Sequence, residues 1–396
     1  MKFNKKVLSN GLTVLHEKRD LPVTTVMLAS KFGSRYESEK DKGIAHFIEH
    51  LCFKGTEKRT TEQIAAELEK VGGILNAFTS EEETAYHVKL PSKHLDLAMD
   101  VIFDIFFNPT FPEKEIEKEG GVICEEIRMY RDNPAAHVLE RIKGCLYKKP
   151  FGMFIAGTED NIKKMKREDL LKKHSEVYFP GNAILTVVGN NEFEDVVKLA
   201  EKFCVNNEGK KPQVSEIKTQ NLKSIEKRGD LQQANLAMGF HFPKTSEKEK
   251  FAAEVFLAIF GQGMSSKLWR EVREKRGLAY AIKTEMDAGK DYGYLVIYIG
   301  TGKDKVREVI NLCVEEFSKM KDISEKEVED AKEQVMGNYD ISTEDCANVA
   351  TNLLLEEISG KAEDYYDFKK EIAKVTLKDI KELAEKADYS YFALTP

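Results

Sequence analysis

The residues best able to do chemistry are His46-Phe47-Ile48-Glu49-His50, a run set in apolar-periodic sequence. On a helix, positions 46 and 50 lie one turn apart on one face, with Glu49 beside them. Two imidazoles so placed can grip a divalent metal, and a carboxylate three residues after the first can reach a water bound to it. That arrangement suits metal-assisted hydrolysis with a general base in place. The order H-x-x-E-H reverses the commoner H-E-x-x-H. With 8 histidines in 396 residues the pattern is uncommon by chance, although a histidine pair on a helix can also be structural.

A structural zinc usually takes four protein ligands, whereas a catalytic zinc takes three and leaves one position for water. A third ligand is therefore expected elsewhere in the chain. Cys52, Cys124, Cys145, Cys204, Cys313 and Cys346 are scattered without a C-x-x-C pair and are poor candidates. The acidic stretch from Glu113 to Glu125-Glu126 is better; it follows Phe111-Pro112 and reads as a helix beginning after a proline. Glu119 and Glu126 are seven residues apart and share a face, while Glu125 lies about 100° around the helix from Glu126. One of the pair can ligate a metal while the other orients a ligand. A solvated acidic face would show the same spacing. Gly120-Gly121 is an oddity inside this helix, costing roughly 1 kcal/mol each relative to alanine.

The stretch from Gly43 to Pro134 resembles the pitrilysin/insulinase-type metallopeptidases, in the small-subunit branch that includes the mitochondrial processing peptidase and its bacterial relatives. The likeness is carried, in order, by the histidine pentad continuing into Leu51-Cys52-Phe53-Lys54-Gly55-Thr56, by Gly72-Gly73-Ile74-Leu75-Asn76-Ala77-Phe78-Thr79, and by Glu125-Glu126-Ile127-Arg128-Met129-Tyr130 with Asp132-Asn133-Pro134. The resemblance implies one zinc ion per chain held by His46, His50 and Glu126, with Glu49 as general base and Glu119 as a supporting carboxylate. In active family members an Arg and a Tyr on the C-terminal domain help hold the substrate and its developing oxyanion; these match Arg273 and Tyr280. Alone, that segment reads as a charged helix end followed by a packed strand tyrosine.

The same resemblance makes Asn76-Ala77-Phe78-Thr79 a sheet edge, with Asn76, Ala77 and Phe78 as its binding residues, to which an extended peptide adds through backbone hydrogen bonds. The implied activity is that of a zinc metalloendopeptidase cutting peptides or unfolded segments inside a four-domain clamshell. This chain supplies two domains, which implies a homodimer, or a heterodimer with a metal-free relative. The family also contains dedicated presequence-type processing peptidases and non-catalytic scaffold subunits of the same fold.

The elements that must position these residues are legible in outline. Val7 to Val14 reads as a hairpin, and Val23 to Ser30 and Thr84 to Leu90 alternate as half-buried strands. Thr61 to Lys70 and Leu95 to Phe107 have helical spacing. Strands and helices are segregated, which favours an α+β fold. The expected architecture is two structurally similar domains, each a largely antiparallel sheet with helices packed mainly on one face.

A repeat supports the two copies: the helix opening at Phe111-Pro112-Glu113 recurs at Ile323-Ser324-Glu325, an offset of 212 residues, and Leu68 to Gly73 resembles Val272 to Gly277. At the 212 offset the metal residues fall on Ala258, Gln262 and Asn338, so the second copy lacks them. A polar linker at 206–221 would separate a zinc-binding domain, 1–205, from a metal-free domain, 222–396.

A formal net charge of -7 and a pI near 5.8 argue against a nucleic-acid surface. No apolar run approaches the roughly 18 residues of a membrane helix, and no signal-peptide core is present. Scattered cysteines fit free thiols in a reducing compartment. A soluble cytoplasmic protein with no membrane partner is expected.

Overall fold

Eleven strands form among the residues described by the computed structural model, 2–386 and 388–396. They are β1 (Lys2–Val7), β2 (Thr13–Lys18), β3 (Val23–Ser30), β4 (Ile74–Thr79), β5 (Thr84–Pro91), β6 (Ala183–Gly189), β7 (Lys223–Lys227), β8 (Ala234–His241), β9 (Ala279–Ala288), β10 (Gly293–Thr301) and β11 (Tyr389–Thr395). The α-helices of the first half are α1 (Ile44–Cys52), α2 (Thr61–Glu69), α3 (Leu95–Phe107), α4 (Glu113–Asp132), α5 (Pro134–Leu146), α6 (Glu159–Lys164), α7 (Arg167–Val177) and α8 (Phe193–Phe203). Those of the second are α9 (Lys250–Phe260), α10 (Val306–Ser318), α11 (Glu325–Ser342), α12 (Cys346–Ser359), α13 (Phe368–Lys374) and α14 (Leu377–Ala384).

One unit comprises the chain up to Ile127 together with Phe154–Ser215 and Ser342–Tyr365. Its sheet runs β1-β2-β6-β3-β5-β4, antiparallel throughout except between β2 and β6. Register places Val26 opposite both Val88 and Val187, all fully buried, so the centre of the sheet turns one apolar face to a helical layer. In that layer α3 buries Val101, Ile102, Phe103, Ile105 and Phe106. The other face carries buried Met27 and Ala29, and α12, with Val349, Ala350, Leu353 and Leu354 buried, packs against β3 and β6.

The second unit comprises Arg128–Met153, Glu216–Ile341 and Tyr366–Pro396. Its sheet runs β7-β11-β8-β10-β9, with only β7 and β11 parallel. This first-fifth-second-fourth-third order is also that of β2 to β6, so the expected repeat is expressed as a shared topology. On one face Phe240, Phe256, Phe260 and Phe317 form an aromatic core, with Phe240 and Phe317 stacked at 4.2 Å. On the other face α5 sets Val138, Ile142 and Leu146 against Ala237, Val296, Phe392 and Leu394.

Both units have the expected α+β character, with the main helical layer on one face and one added helix on the other. The added helices come from across the linker: α5 belongs to the second unit and α12 to the first. Cuts at residues 205 and 222 therefore do not separate the two units. Spacing along one helix reveals its apolar side but not which of two similar sheets that side covers.

Candidate metal centre

The helix that carries the histidine pentad is fixed at its start by buried polar groups. Gly43, its N-cap, has φ of 100°, and a Cβ there would lie 2.6 Å from the Ala156 carbonyl oxygen, so only glycine fits. The Glu37 carboxylate accepts hydrogen bonds from the backbone N–H groups of Gly43 at 3.1 Å and Ala45 at 2.8 Å, capping the helix from outside it. Lys42 Nζ lies 3.6 Å from Glu37 and donates to the Ser34 carbonyl at 2.8 Å, with both charged side chains fully buried. Ile44, Ala45, Phe47, Ile48, Leu51 and Cys52 sink into the core. His46, Glu49 and His50 are left half-buried on the opposite side.

Helix α4 brings the carboxylates to this side. His46 Nε2 and His50 Nε2 each lie 3.7 Å from Glu126 Oε2. The three ligand atoms all fall within 4.8 Å of one another. Two corners of a tetrahedron with bonds of roughly 2.0–2.2 Å are about 3.4 Å apart, so this donor set fits a small divalent ion. Glu119 reaches the centre indirectly: Oε2 accepts from His50 Nδ1 at 3.2 Å and Oε1 accepts from Lys54 Nζ at 2.8 Å. That bond places the proton of His50 on Nδ1 and leaves the Nε2 lone pair facing Glu126.

The electrostatics work against a proton at His46 and against an uncompensated charge at Glu126. Burial, with His50 adding repulsion, pushes the pKa of His46 down to about 3, so its imidazole is neutral and able to ligate. Burial raises the carboxyl pKa of Glu126, a cost that a cation would relieve. Burial also works to raise Glu119, but Lys54 and His50 outweigh it and hold that carboxyl below its ordinary value. Glu49 is raised, first by burial and further by Glu126, against the opposing pull of Thr79 and His50.

Glu49 does not stand free: its Oε2 accepts from Thr79 Oγ1 at 2.5 Å. Thr79 ends β4, an edge strand of the first sheet, which also carries Asn76, Ala77 and Phe78. Asn76 is exposed, and its Oδ1 accepts the backbone N–H of Ala77 at 2.8 Å. Beside β4 a cavity of about 550 Å³ is lined by Phe53, Ala65, Leu68, Gly73, Leu75 and Asn76, among others. Sequence reasoning put Thr79 at the end of the substrate-binding edge without a contact to Glu49, and it assigned no role to Phe53. The signal for Thr79 was parity, since in an extended strand it shares a face with Ala77 and Leu75.

Arg273 and Tyr280 lie in the second unit. Arg273 sits in a π-helical turn, Trp269–Glu274, with its guanidinium 4.2 Å from the centre of the Trp269 ring. Tyr280 is on β9 and half exposed, its ring lying over Gly300 of β10, where any side chain would collide with it.

Comparison with known proteins places these features in context. Residues 12–159 match the family model described as Insulinase (Peptidase family M16), and residues 164–335 match the one described as Peptidase M16 inactive domain. An uncharacterized zinc protease of Rickettsia bellii is 36% identical over 350 residues, covering 87% of this chain and 85% of that one. An uncharacterized zinc protease of Bacillus subtilis is 32% identical over 372 residues, covering 92% and 91%. Among solved structures, a protease from Helicobacter pylori superimposes with a TM-score of 0.92 at 24% identity, covering 100% of this chain and 99% of that one. A structure described as a peptidase M16 inactive domain from Pseudomonas fluorescens gives 0.91 at 18% identity, covering 100% and 98%. These two superpositions speak to the fold.

Proposed function

The chain belongs to the insulinase family, peptidase family M16, and on that premise we propose that it is a zinc-dependent endopeptidase hydrolysing peptides or unfolded segments. The observation that carries this reading is the convergence of His46, His50 and Glu126 on one point, with Glu49 one residue before the second histidine. The zinc-protease relatives support zinc as the ion. The match of residues 164–335 to an inactive domain fits a second half without metal residues.

In this reading His46, His50 and Glu126 hold one zinc ion. Bound zinc would polarise the scissile carbonyl and bring the pKa of a water toward about 7. Glu49 takes a proton from that water as the new C–O bond forms, then returns it to the amine nitrogen as the C–N bond breaks. A base that must also act as an acid works best with a raised carboxyl pKa, the direction in which burial drives Glu49. Glu119 keeps His50 in the tautomer that presents Nε2.

The substrate backbone adds to the edge of β4 at Asn76, Ala77 and Phe78. Arg273 and Tyr280 donate to the developing oxyanion, a role that can contribute about 3–4 kcal/mol. The working assembly is a clamshell completed by a second copy of the chain, with a metal-free relative as the other candidate partner, acting in the cytoplasm.

Hydrolysis of random-sequence peptides by the purified chain, with and without a chelator, tests this reading. Turnover that is lost on chelation and restored by zinc is expected. Glu49→Gln should keep stoichiometric metal and lose turnover by roughly 100-fold or more; normal turnover by that variant would reject the base. Dispersed cuts favour a degradative role, and one tight consensus favours presequence-type processing. A solution mass of one chain would reject the dimer.

A further inference from the structure

The hydrogen bond from Thr79 to Glu49 joins the base to the strand that would hold the substrate. In it the Thr79 hydroxyl donates to Glu49 Oε2 at 2.5 Å. A carboxylate held by one oxygen cannot swing freely, and its second oxygen points in one direction.

Thr79 is itself held. It pairs with Thr84 at the end of the β4–β5 hairpin, whose tip is closed by Ser80 N–H to the Glu83 carbonyl at 2.8 Å and by Ser80 Oγ to Glu83 Oε1 at 2.6 Å. The segment before α1 grips that tip: Ser34 N–H donates to the Ser80 carbonyl and Arg35 N–H to the Glu81 carbonyl, each at 2.9 Å. Arg35 also forms a buried ion pair with Glu82. A few residues on, the same segment caps α1 through Glu37 and ties Lys42 back to Ser34. One short brace thus fixes both the helix that carries Glu49 and the hairpin that carries Thr79.

We propose that Thr79 is a positioning residue for the general base. Its hydroxyl holds Glu49 Oε2, so Oε1 is the oxygen that takes the proton: the O–H bond of the attacking water breaks as the Oε1–H bond forms. Because Thr79 directly follows Asn76-Ala77-Phe78, the strand that receives the peptide also sets the direction of the base.

The inference rests on the peptidase reading, and its test separates the two. Thr79→Val removes the hydroxyl and keeps the shape. Its kcat should fall roughly 10- to 100-fold with KM within about threefold of the parent, the scale expected of a misdirected catalytic group. Bound metal per chain should be unchanged, and Thr79→Ser should restore kcat to within about threefold. Unchanged kcat in Thr79→Val, or loss through KM alone, would overturn the proposal.

A second readout needs no turnover and no metal. In chelator-treated protein, Thr79→Val and Glu49→Ala should each lower the melting temperature, and the double variant should lower it no further than the larger single change. Additive shifts would overturn the contact. Should the parent chain show no peptidase activity, the functional reading fails, and the melting cycle still decides whether Thr79 holds Glu49.

Discussion

Glu119 is the residue whose role separates a metal centre from a simple cluster of charges. Its two oxygens answer Lys54 and His50, so in the proposed centre it would fix a ligand without approaching the ion. Glu119→Ala should weaken zinc binding about 10- to 100-fold, as loss of an outer partner of a ligating histidine typically does. Competition with a chromogenic chelator measures this, and parental affinity would reject the role. Helix-face spacing grouped His46 with His50 and Glu119 with Glu126, because both pairs obey the 3.6-residue period. That the two faces meet, and that Thr79 closes on Glu49 from a strand thirty residues away, is tertiary information that no local period encodes.

At the scale of elements, those with strong periodicity were legible nearly to the residue: β3 runs Val23–Ser30 and α3 runs Leu95–Phe107, as their patterns predict. The π-helical turn at Trp269–Glu274 left no such trace, since its hydrogen bonding departs from the 3.6-residue period by which helices are read. The paired glycines of α4 have a partial account. A Cβ at Gly120 would meet Phe47 at 3.5 Å, an ordinary contact, and one at Gly121 would meet nothing within 4 Å. Neither position demands glycine on steric grounds. Gly121→Ala should therefore stabilise the protein by about 1 kcal/mol, because alanine restores helix propensity at an open site. A melting temperature that fails to rise would show that α4 needs flexibility there.

For the molecule as a whole, the exchange of α5 and α12 makes the two halves of the chain mutually dependent. Without α12 the first sheet would expose the face that carries Met27 and Ala29; without α5 the second would expose Ala237, Val296 and Phe392. Residues 1–205 and 222–396 made separately should each aggregate or remain partly unfolded. Produced together they should assemble and bind one zinc, as metal analysis after size-exclusion chromatography would show; a folded, metal-binding 1–205 fragment would contradict this.

The same exchange sets an order in time. A ribosome releases the three candidate metal ligands early, since His46, His50 and Glu126 all precede residue 206. Cys346–Ser359, which packs against β3 and β6 of the same unit, emerges more than 200 residues after Glu126. A nascent chain therefore carries the candidate metal residues on a unit that still lacks the helix covering one face of its sheet.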